Sequence, residues 1–306
     1  LVVQTDENVK MTVGNESAAQ WRAIDDVRIL AASTRRPFAE LTAATIEAFQ
    51  RDGVVVVRQA FPSWVEALRT GLERNLNNPD QYAFPCESIR GTESGRFFDS
   101  YCNWQLIPEY LLFVLTSDAA SMAAQLMASD TAQFFHDHAF SKEQGTERAT
   151  PWHHDLPYYC LDGTQTVSMY VALDKTPTQT GVRFVKGSHQ NGKTYRPRNF
   201  GSGDEYTQDD PTLLPIPEID PHGADIFVEA LEPGDAVCFD FRTLHGTTAE
   251  PIANRRRAFS TRWLGDDVRY LERQGETSPP LDGLGLQSGE VMRHDWFPLL
   301  WPPSND

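Results

Sequence analysis

His153 and Asp155 stand two residues apart in Thr150-Pro-Trp-His-His-Asp155, and His245 closes the distant segment Asp235-Ala-Val-Cys-Phe-Asp-Phe-Arg-Thr-Leu-His245. On an extended strand, residues i and i+2 leave the same face. One imidazole nitrogen and one carboxylate oxygen can then share a metal ion. A histidine from a second strand would complete a facial set of two histidines and one carboxylate. That set leaves three coordination positions open and suits non-haem iron(II) oxygenase chemistry. A lone His-x-Asp among eight histidines is weak evidence, but the sequence after His245 strengthens it. Gly246-Thr247-Thr248 follows at once, and Arg255-Arg256-Arg257 opens the apolar run Ala258-Phe-Ser-Thr-Arg-Trp263. An arginine on the strand after the last ligand can bind a dicarboxylate through a two-pronged guanidinium pair.

The other histidines fit this scheme less well. His154 faces away from its neighbours on the same strand and reads as a supporting or structural group. His136 and His138 also stand at i and i+2, in Phe135-His-Asp-His-Ala139, and with His153 they make a rival site. They supply no carboxylate in phase, so a structural role is preferred, with one of them left as a possible pocket residue. His189 follows Gly-Ser and is expected in a turn; His222 and His294 are expected in loops.

These residues need a scaffold. Ile46 and Phe49 within residues 42–51 predict a helix with Thr42 as its cap. Residues 54–58 read as a β-branched strand. Ser63 opens a second helix reaching about Leu76, with Trp64, Leu68 and Leu72 on one stripe. Residues 77–100 read as loop-rich. Residues 108–127 are helical, with a break and a new cap at Ser117-Asp118. From Gln133 onward strands dominate, at 133–141, 152–155, 166–174, 182–185, 224–230, 236–241 and 257–264. Helices followed by a run of strands predict an α+β fold. A jelly roll (a double-stranded β-helix, cupin-like) flanked by N-terminal helices is the natural core, because it protects its strand edges. Residues 190–223 interrupt the strands and read as an insert or active-site lid.

The chain has 306 residues and a net charge of −16. No Gly/Ser/Pro-rich linker divides it, so residues 41–306 are expected to form one domain behind an N-terminal extension, 1–40. The missing initiating methionine leaves residues 1–10 open as an added or a processed terminus. The acidic balance argues against nucleic acid and anionic membranes as partners. No apolar run is long enough to span a bilayer, and no signal-peptide pattern is present. Cys86, Cys102, Cys160 and Cys238 are widely spaced, which fits reduced thiols in a cytoplasmic protein. A small-molecule substrate is expected, and a homo-oligomer is left open.

Taken together, the residues resemble the phytanoyl-CoA dioxygenase family of iron- and 2-oxoglutarate-dependent oxygenases, from about Leu41 to Trp301. The resemblance runs through Phe49-Gln-Arg-Asp-Gly-Val-Val-Val-Val-Arg58, Lys142-Glu143 and Thr150–Asp155. It continues in Gly181-Val-Arg-Phe-Val-Lys-Gly-Ser-His189, Gly234-Asp235, His245 and Arg256-Arg-Ala-Phe-Ser-Thr-Arg-Trp-Leu-Gly-Asp-Asp267. Lys186 departs from the family, which usually has proline before Gly-Ser-His.

The resemblance implies that His153, Asp155 and His245 hold Fe(II) while 2-oxoglutarate and O2 serve as cosubstrates. Hydroxylation with release of succinate and CO2 is the default outcome. Chlorination is not expected, because halogenases of this superfamily carry a small residue where Asp155 stands. Arg256, eleven residues after His245, matches the arginine that grips the far carboxylate of 2-oxoglutarate. Thr247 and Tyr170 match positions lining the same pocket, and Lys142 is a further candidate there. Trp152, Tyr158, Tyr159, Phe97 and Trp104 are the candidates for substrate contact. Arg255 and Arg257 are expected to be solvated or paired, since neighbours on a strand face away from Arg256. Two other classes remain open: a metal-dependent cupin-type isomerase or epimerase, and a non-catalytic small-molecule-binding protein on the same scaffold.

Overall fold

The structure is a computed structural model describing residues 40–89, 96–147, 149–199, 210–223, 225–281 and 283–302. The expected N-terminal extension therefore lies outside the described residues, apart from Glu40. Thr42 caps the first helix, α1 (Ala43–Asp52), by accepting from the Thr45 amide at 3.2 Å. Gly53 ends it in the left-handed region, at φ 74°. A Cβ there would fall 2.4 Å from His189 Nδ1, so the expected turn histidine is packed against the helix end.

Strand β1 (Val54–Val57) leads to a 3-10 turn, Pro62–Trp64, and then to helix α2 (Val65–Asn77). Ser63 thus lies in the turn and caps nothing. Residues 77–100, expected to be loop-rich, hold two antiparallel strands, β2 (Pro85–Ile89) and β3 (Arg96–Tyr101). Strand β3 places Phe97, Asp99 and Tyr101 on one face and Phe98 and Ser100 on the other. That mixture of aromatic and polar groups hides the usual alternation. Helices α3 (Pro108–Thr116) and α4 (Ala119–Met127) meet at a 50° bend. The break falls at Ser117-Asp118 as expected, but Asp118 makes no side-chain cap. The Ser117 hydroxyl accepts weakly from the Ala119 amide at 3.4 Å.

The remaining strands are β4 (Ala132–Lys142), β5 (Leu161–Asp162), β6 (Thr166–Ala172), β7 (Arg183–Val185), β8 (Ile226–Phe227), β9 (Ala236–Phe239), β10 (His245–Gly246), β11 (Arg256–Leu264), β12 (Arg269–Tyr270) and β13 (Leu299–Trp301). The main sheet is antiparallel, ordered β1-β9-β6-β11-β4-β3-β2, with β13 paired to β4. A smaller sheet, β10-β7-β8, faces it. The result is an α+β fold with a double-stranded β-helix core. No single helix among the described residues is long and apolar enough to cross a membrane.

Two expected strands are corrected. Residues 224–230 contribute strand only at Ile226–Phe227. Residues 152–155 do not form a strand: His153 makes an isolated bridge with His245, and Asp155 turns into helical geometry at φ −72°, ψ −36°. Pro157 explains the turn, since its fixed φ suits the start of the 3-10 turn Leu156–Tyr158.

Register aligns the inner face of the main sheet into rows. Phe97, Lys142 and Arg256 stand side by side across β3, β4 and β11. Further along, Tyr101, His138, Ser260, Tyr170 and Val237 form a second row. Arg262 lies between His136 and Ser168 in a third. The opposite face carries Ala139, Met169, Val171, Phe259 and Trp263, packed with Leu68, Leu72, Tyr110 and Phe113 from the helices.

Candidate metal centre and cavity

His153 and His245 are brought together by backbone pairing. Each amide donates to the other's carbonyl, at 2.9 and 2.8 Å. Gly246 permits the close approach, because a Cβ there would lie 3.0 Å from the Thr150 carbonyl and 3.2 Å from the Trp152 ring. The His153 Nδ1–H donates to the Pro151 carbonyl at 2.8 Å, and the His245 Nδ1–H donates to the Thr243 carbonyl at 2.9 Å. Both rings therefore carry their proton on Nδ1 and turn an unprotonated Nε2 toward Asp155. Each Nε2 lies 3.7 Å from Asp155 Oδ1. Among the described residues, this is the one group of three His, Cys, Asp or Glu side chains whose ligand atoms lie within 4.8 Å of one another. Convergence thus comes from the turn at Asp155 together with the His153–His245 bridge, and not from strand alternation as expected.

The second oxygen of Asp155 is held from behind. The Ser168 hydroxyl donates to Oδ2 at 2.9 Å, and Arg262 Nη2 stands 3.9 Å from it. Burial pushes the His153 pKa down to about 3, with His245 beside it adding to the shift. Burial also lowers His245. For Asp155 burial acts in the opposite direction, but His245, Arg262, His153 and the Ser168 hydroxyl hold its pKa at about 2. Neutral imidazoles and an ionised carboxylate are the forms that bind a metal. The donor set, with its outer hydrogen bonds fixing both tautomers, fits a divalent iron ion.

A cavity of about 150 Å³ opens beside the triad. Arg256, Thr247, Tyr170 and Lys142 all line it. Arg256 is 7 % exposed and donates through Nη1 to the Thr180 carbonyl. Lys142 is 5 % exposed, with Nζ 5.0 Å above the Phe97 ring. The Thr247 hydroxyl accepts from the Thr150 amide at 2.7 Å, which leaves its own proton available to the cavity. Arg255 and Arg257 point away. Arg255 pairs with Glu73 and Glu143, and Arg257 pairs with Asp174 at 2.8 Å and with Glu73 at 3.0 Å. Arg257 is thus structurally engaged and not merely solvated.

Of the five substrate-contact candidates, Tyr158, Tyr159 and Phe97 line the cavity. Two do not. Trp104 is buried in the helical core against Phe134, ring centroids 5.1 Å apart, and its amide donates to Asp137. Trp152 does not line the cavity; its ring lies against Gly246. His136 and His138 both line the cavity, though neither joins the triad. The Tyr195 amide donates to His154 Nε2 at 2.9 Å, and the Arg198 amide donates to the Tyr158 hydroxyl at 2.7 Å. The described part of 190–223 therefore packs on residues flanking the triad, while its portion 200–209 lies outside the described residues.

Sequence reasoning missed Ser168, Arg262, Asp99 and Tyr101. For Ser168 and Arg262 the signal was present: stepping by two from Tyr170 reaches Ser168, and stepping by two from Arg256 reaches Ser260 and Arg262; for Asp99 and Tyr101 the mixed pattern of β3 hid it.

No curated protein sequence is a significant match. Solved structures of similar fold include the non-haem α-ketoglutarate-dependent carbocyclase SnoK from nogalamycin biosynthesis. It is 19% identical with a TM-score of 0.64, and the match covers 87% of this chain and 99% of that one. EvdO2 from Micromonospora carbonacea var. aurantiaca, solved with 2-oxoglutarate, is 20% identical with a TM-score of 0.57, covering 81% and 99%. EctD from S. alaskensis is 18% identical with a TM-score of 0.60, covering 85% and 89%. At these identities the likeness concerns the fold. The sequence itself carries the closer assignment: residues 49–258, more than half of the 306, match the phytanoyl-CoA dioxygenase (PhyH) profile, and the chain belongs to that family.

Proposed function

We propose that this protein is an iron(II)- and 2-oxoglutarate-dependent oxygenase that hydroxylates a small molecule. The convergence of His153 Nε2, His245 Nε2 and Asp155 Oδ1 carries the reading, because both tautomers are set by backbone carbonyls and Arg256 lines the same cavity. His153, Asp155 and His245 would hold the metal. Bound there, iron(II) supplies the oxidising chemistry with O2, while 2-oxoglutarate is converted to succinate and CO2.

The chain's own residues supply position and exclusion. Ser168 and Arg262 engage one oxygen of Asp155 and leave the other for the metal. Arg256 offers a planar fork to the far carboxylate of 2-oxoglutarate, with the Thr247 hydroxyl and Tyr170 beside it. Lys142 adds a second cation at that end. Tyr158, Tyr159 and Phe97 present aromatic walls to the substrate and keep water away from the reacting centre. Buried Arg256 favours an oxygenase over a cupin-type isomerase, which has no use for a dicarboxylate. An intact triad argues against a purely binding role.

Anaerobic titration of iron(II)-loaded full-length protein with 2-oxoglutarate should give the visible charge-transfer absorption of the chelate, and admitting O2 should release succinate. Absence of both would overturn the oxygenase reading. Hydroxylation is tested separately by product mass in chloride-rich buffer. One added oxygen supports it. Loss of two hydrogens, an isomeric product or a chlorinated one would sink hydroxylation while leaving the oxygenase class intact. The solved structures of similar fold include an epimerase as well as a carbocyclase, which makes this second test necessary.

A further inference from the structure

His138 is a cavity residue that neither the triad nor the cosubstrate end uses. It sits on β4 four residues from Lys142, about 13 Å along an extended strand, and so away from the Arg256 end. Its Nε2–H donates to Asp99 Oδ2 at 3.0 Å. The side chains of His138 and Asp99 are 16% and 18% exposed, and both residues line the cavity. Giving the Nε2 proton to a carboxylate fixes the tautomer and leaves Nδ1 as an acceptor. The ring's one hydrogen bond among the described residues is made by Nε2, and Nδ1 is not among the buried atoms lacking a partner, so Nδ1 is open to the cavity that the residue lines. The ring is clamped between Phe140, at 4.0 Å between centroids, and Tyr101, at 5.3 Å. Tyr101 is itself stacked on Phe84 at 5.0 Å and 11°. An imidazole oriented by a carboxylate and wedged between aromatic rings is a preorganised acceptor facing the cavity.

We propose that His138, backed by Asp99, is a specificity-determining residue that accepts a hydrogen bond from a hydroxyl group on the substrate. The substrate class is then a small molecule with an apolar, ring-sized body bearing a free hydroxyl. The carboxylate behind the ring raises the acceptor strength of Nδ1. The flanking aromatics exclude water that would otherwise compete. An alkyl ether of the same body lacks the donor and leaves Nδ1 unsatisfied. Discrimination between alcohol and ether is therefore the property that His138 confers.

The inference rests on the oxygenase reading only for the site's contents, and the experiment separates the two. Full-length protein is loaded with 2-oxoglutarate and Zn(II), which is diamagnetic and blocks turnover. Cyclohexanol and its methyl ether are titrated as probes by ligand-observed NMR. Wild type should prefer the alcohol by roughly three- to ten-fold, the worth of one hydrogen bond. His138→Phe should abolish the preference and His138→Gln should keep part of it. Asp99→Asn should reduce it. A wild type without preference, or a preference unchanged in His138→Phe and His138→Gln, overturns the inference. Zinc and 2-oxoglutarate binding are measured on the same samples. If wild type binds neither, the oxygenase reading fails; if it binds both without discriminating the probes, only the role of His138 fails.

Discussion

The two faces of the main sheet use the same strands for different ends. On the helix face of β11, Phe259 is fully buried against Tyr110 and Phe113, with centroids 4.3 and 5.6 Å away. Trp263 meets Phe134 edge-on at 5.2 Å. On the cavity face of the same strand stand Arg256, Ser260 and Arg262, all buried and all polar. Arg262 Nη1 and, beside it, His136 Nε2 have no hydrogen-bond partner among the described residues. An unsatisfied buried polar atom costs about 1–3 kcal/mol. The helix face thus supplies stability, and the cavity face spends part of it to keep polar groups available for chemistry. Substitutions on the two faces should separate accordingly.

The largest separation is expected at the triad. His153→Ala, Asp155→Ala and His245→Ala should each abolish turnover and iron retention while the thermal transition stays close to wild type. His136→Ala and His154→Ala should keep the metal. Iron content after anaerobic reconstitution, read beside a melting curve, checks this. Iron retained in Asp155→Ala but lost in His136→Ala would move the site to the rival histidine pair. The mirror experiment is Phe259→Ala, which should cost about 3–5 kcal/mol of stability, as truncation of a buried aromatic does. Its folded fraction should bind iron normally. A selective loss of iron there would break the division between faces.

Arg256→Ala should weaken apparent 2-oxoglutarate affinity by roughly 30- to 1,000-fold, because about 2–4 kcal/mol of charge-assisted hydrogen bonding is lost. Arg256→Lys should recover part of this, since an ammonium cannot reproduce the planar fork. Succinate formation against 2-oxoglutarate concentration is the measurement, and equal affinity in Arg256→Ala and wild type would remove the residue from the cosubstrate site. Ser168→Ala tests the outer contact on Asp155. Losing that hydrogen bond should weaken iron binding by about 10- to 100-fold, the usual effect of removing such a support. Unchanged iron affinity would mean that Arg262 alone holds the carboxylate.

Different parts of this arrangement were legible in the sequence for different reasons. Residue type and spacing marked His153, Asp155, His245 and Arg256, because few combinations offer two imidazoles, a carboxylate and a guanidinium in this order. Periodicity marked α1 and the long strands β4, β6 and β11. It failed where the cavity faces a strand, as in β3, since Asp99 and Tyr101 do not look like core residues although they point inward. It failed again at 152–155, where a proline-started turn replaces the strand and swings Asp155 toward the two histidines. Trp104 is aromatic like the cavity residues, but it packs against Phe134 in the helical core, and residue type alone does not separate the two places.

The smallest expected effect is the sharpest test of the face assignment. Arg255, Arg256 and Arg257 are consecutive, so composition and local charge are almost identical for all three. Only strand phase separates them. Arg257 forms a two-pronged pair with Asp174, through Nε at 2.9 Å and Nη2 at 2.8 Å, on the side away from the cavity. Arg255 sits between Glu73 and Glu143. Neither guanidinium lines the cavity. Arg255→Ala and Arg257→Ala should therefore change 2-oxoglutarate affinity less than about threefold, as loss of a remote, paired surface charge does. Arg257→Ala should instead lower the thermal transition slightly, because Asp174 loses its partner while Arg69 remains beside it at 3.1 Å. Measuring 2-oxoglutarate dependence and melting for all three variants gives each residue two coordinates, affinity and stability. Arg256 should move along the first and Arg257 along the second. If Arg257→Ala moves along the affinity axis and Arg256→Ala does not, the strand is off by one residue. Ser260 and Arg262 would then leave the cavity face with Arg256, and the contrast between the two faces would be lost.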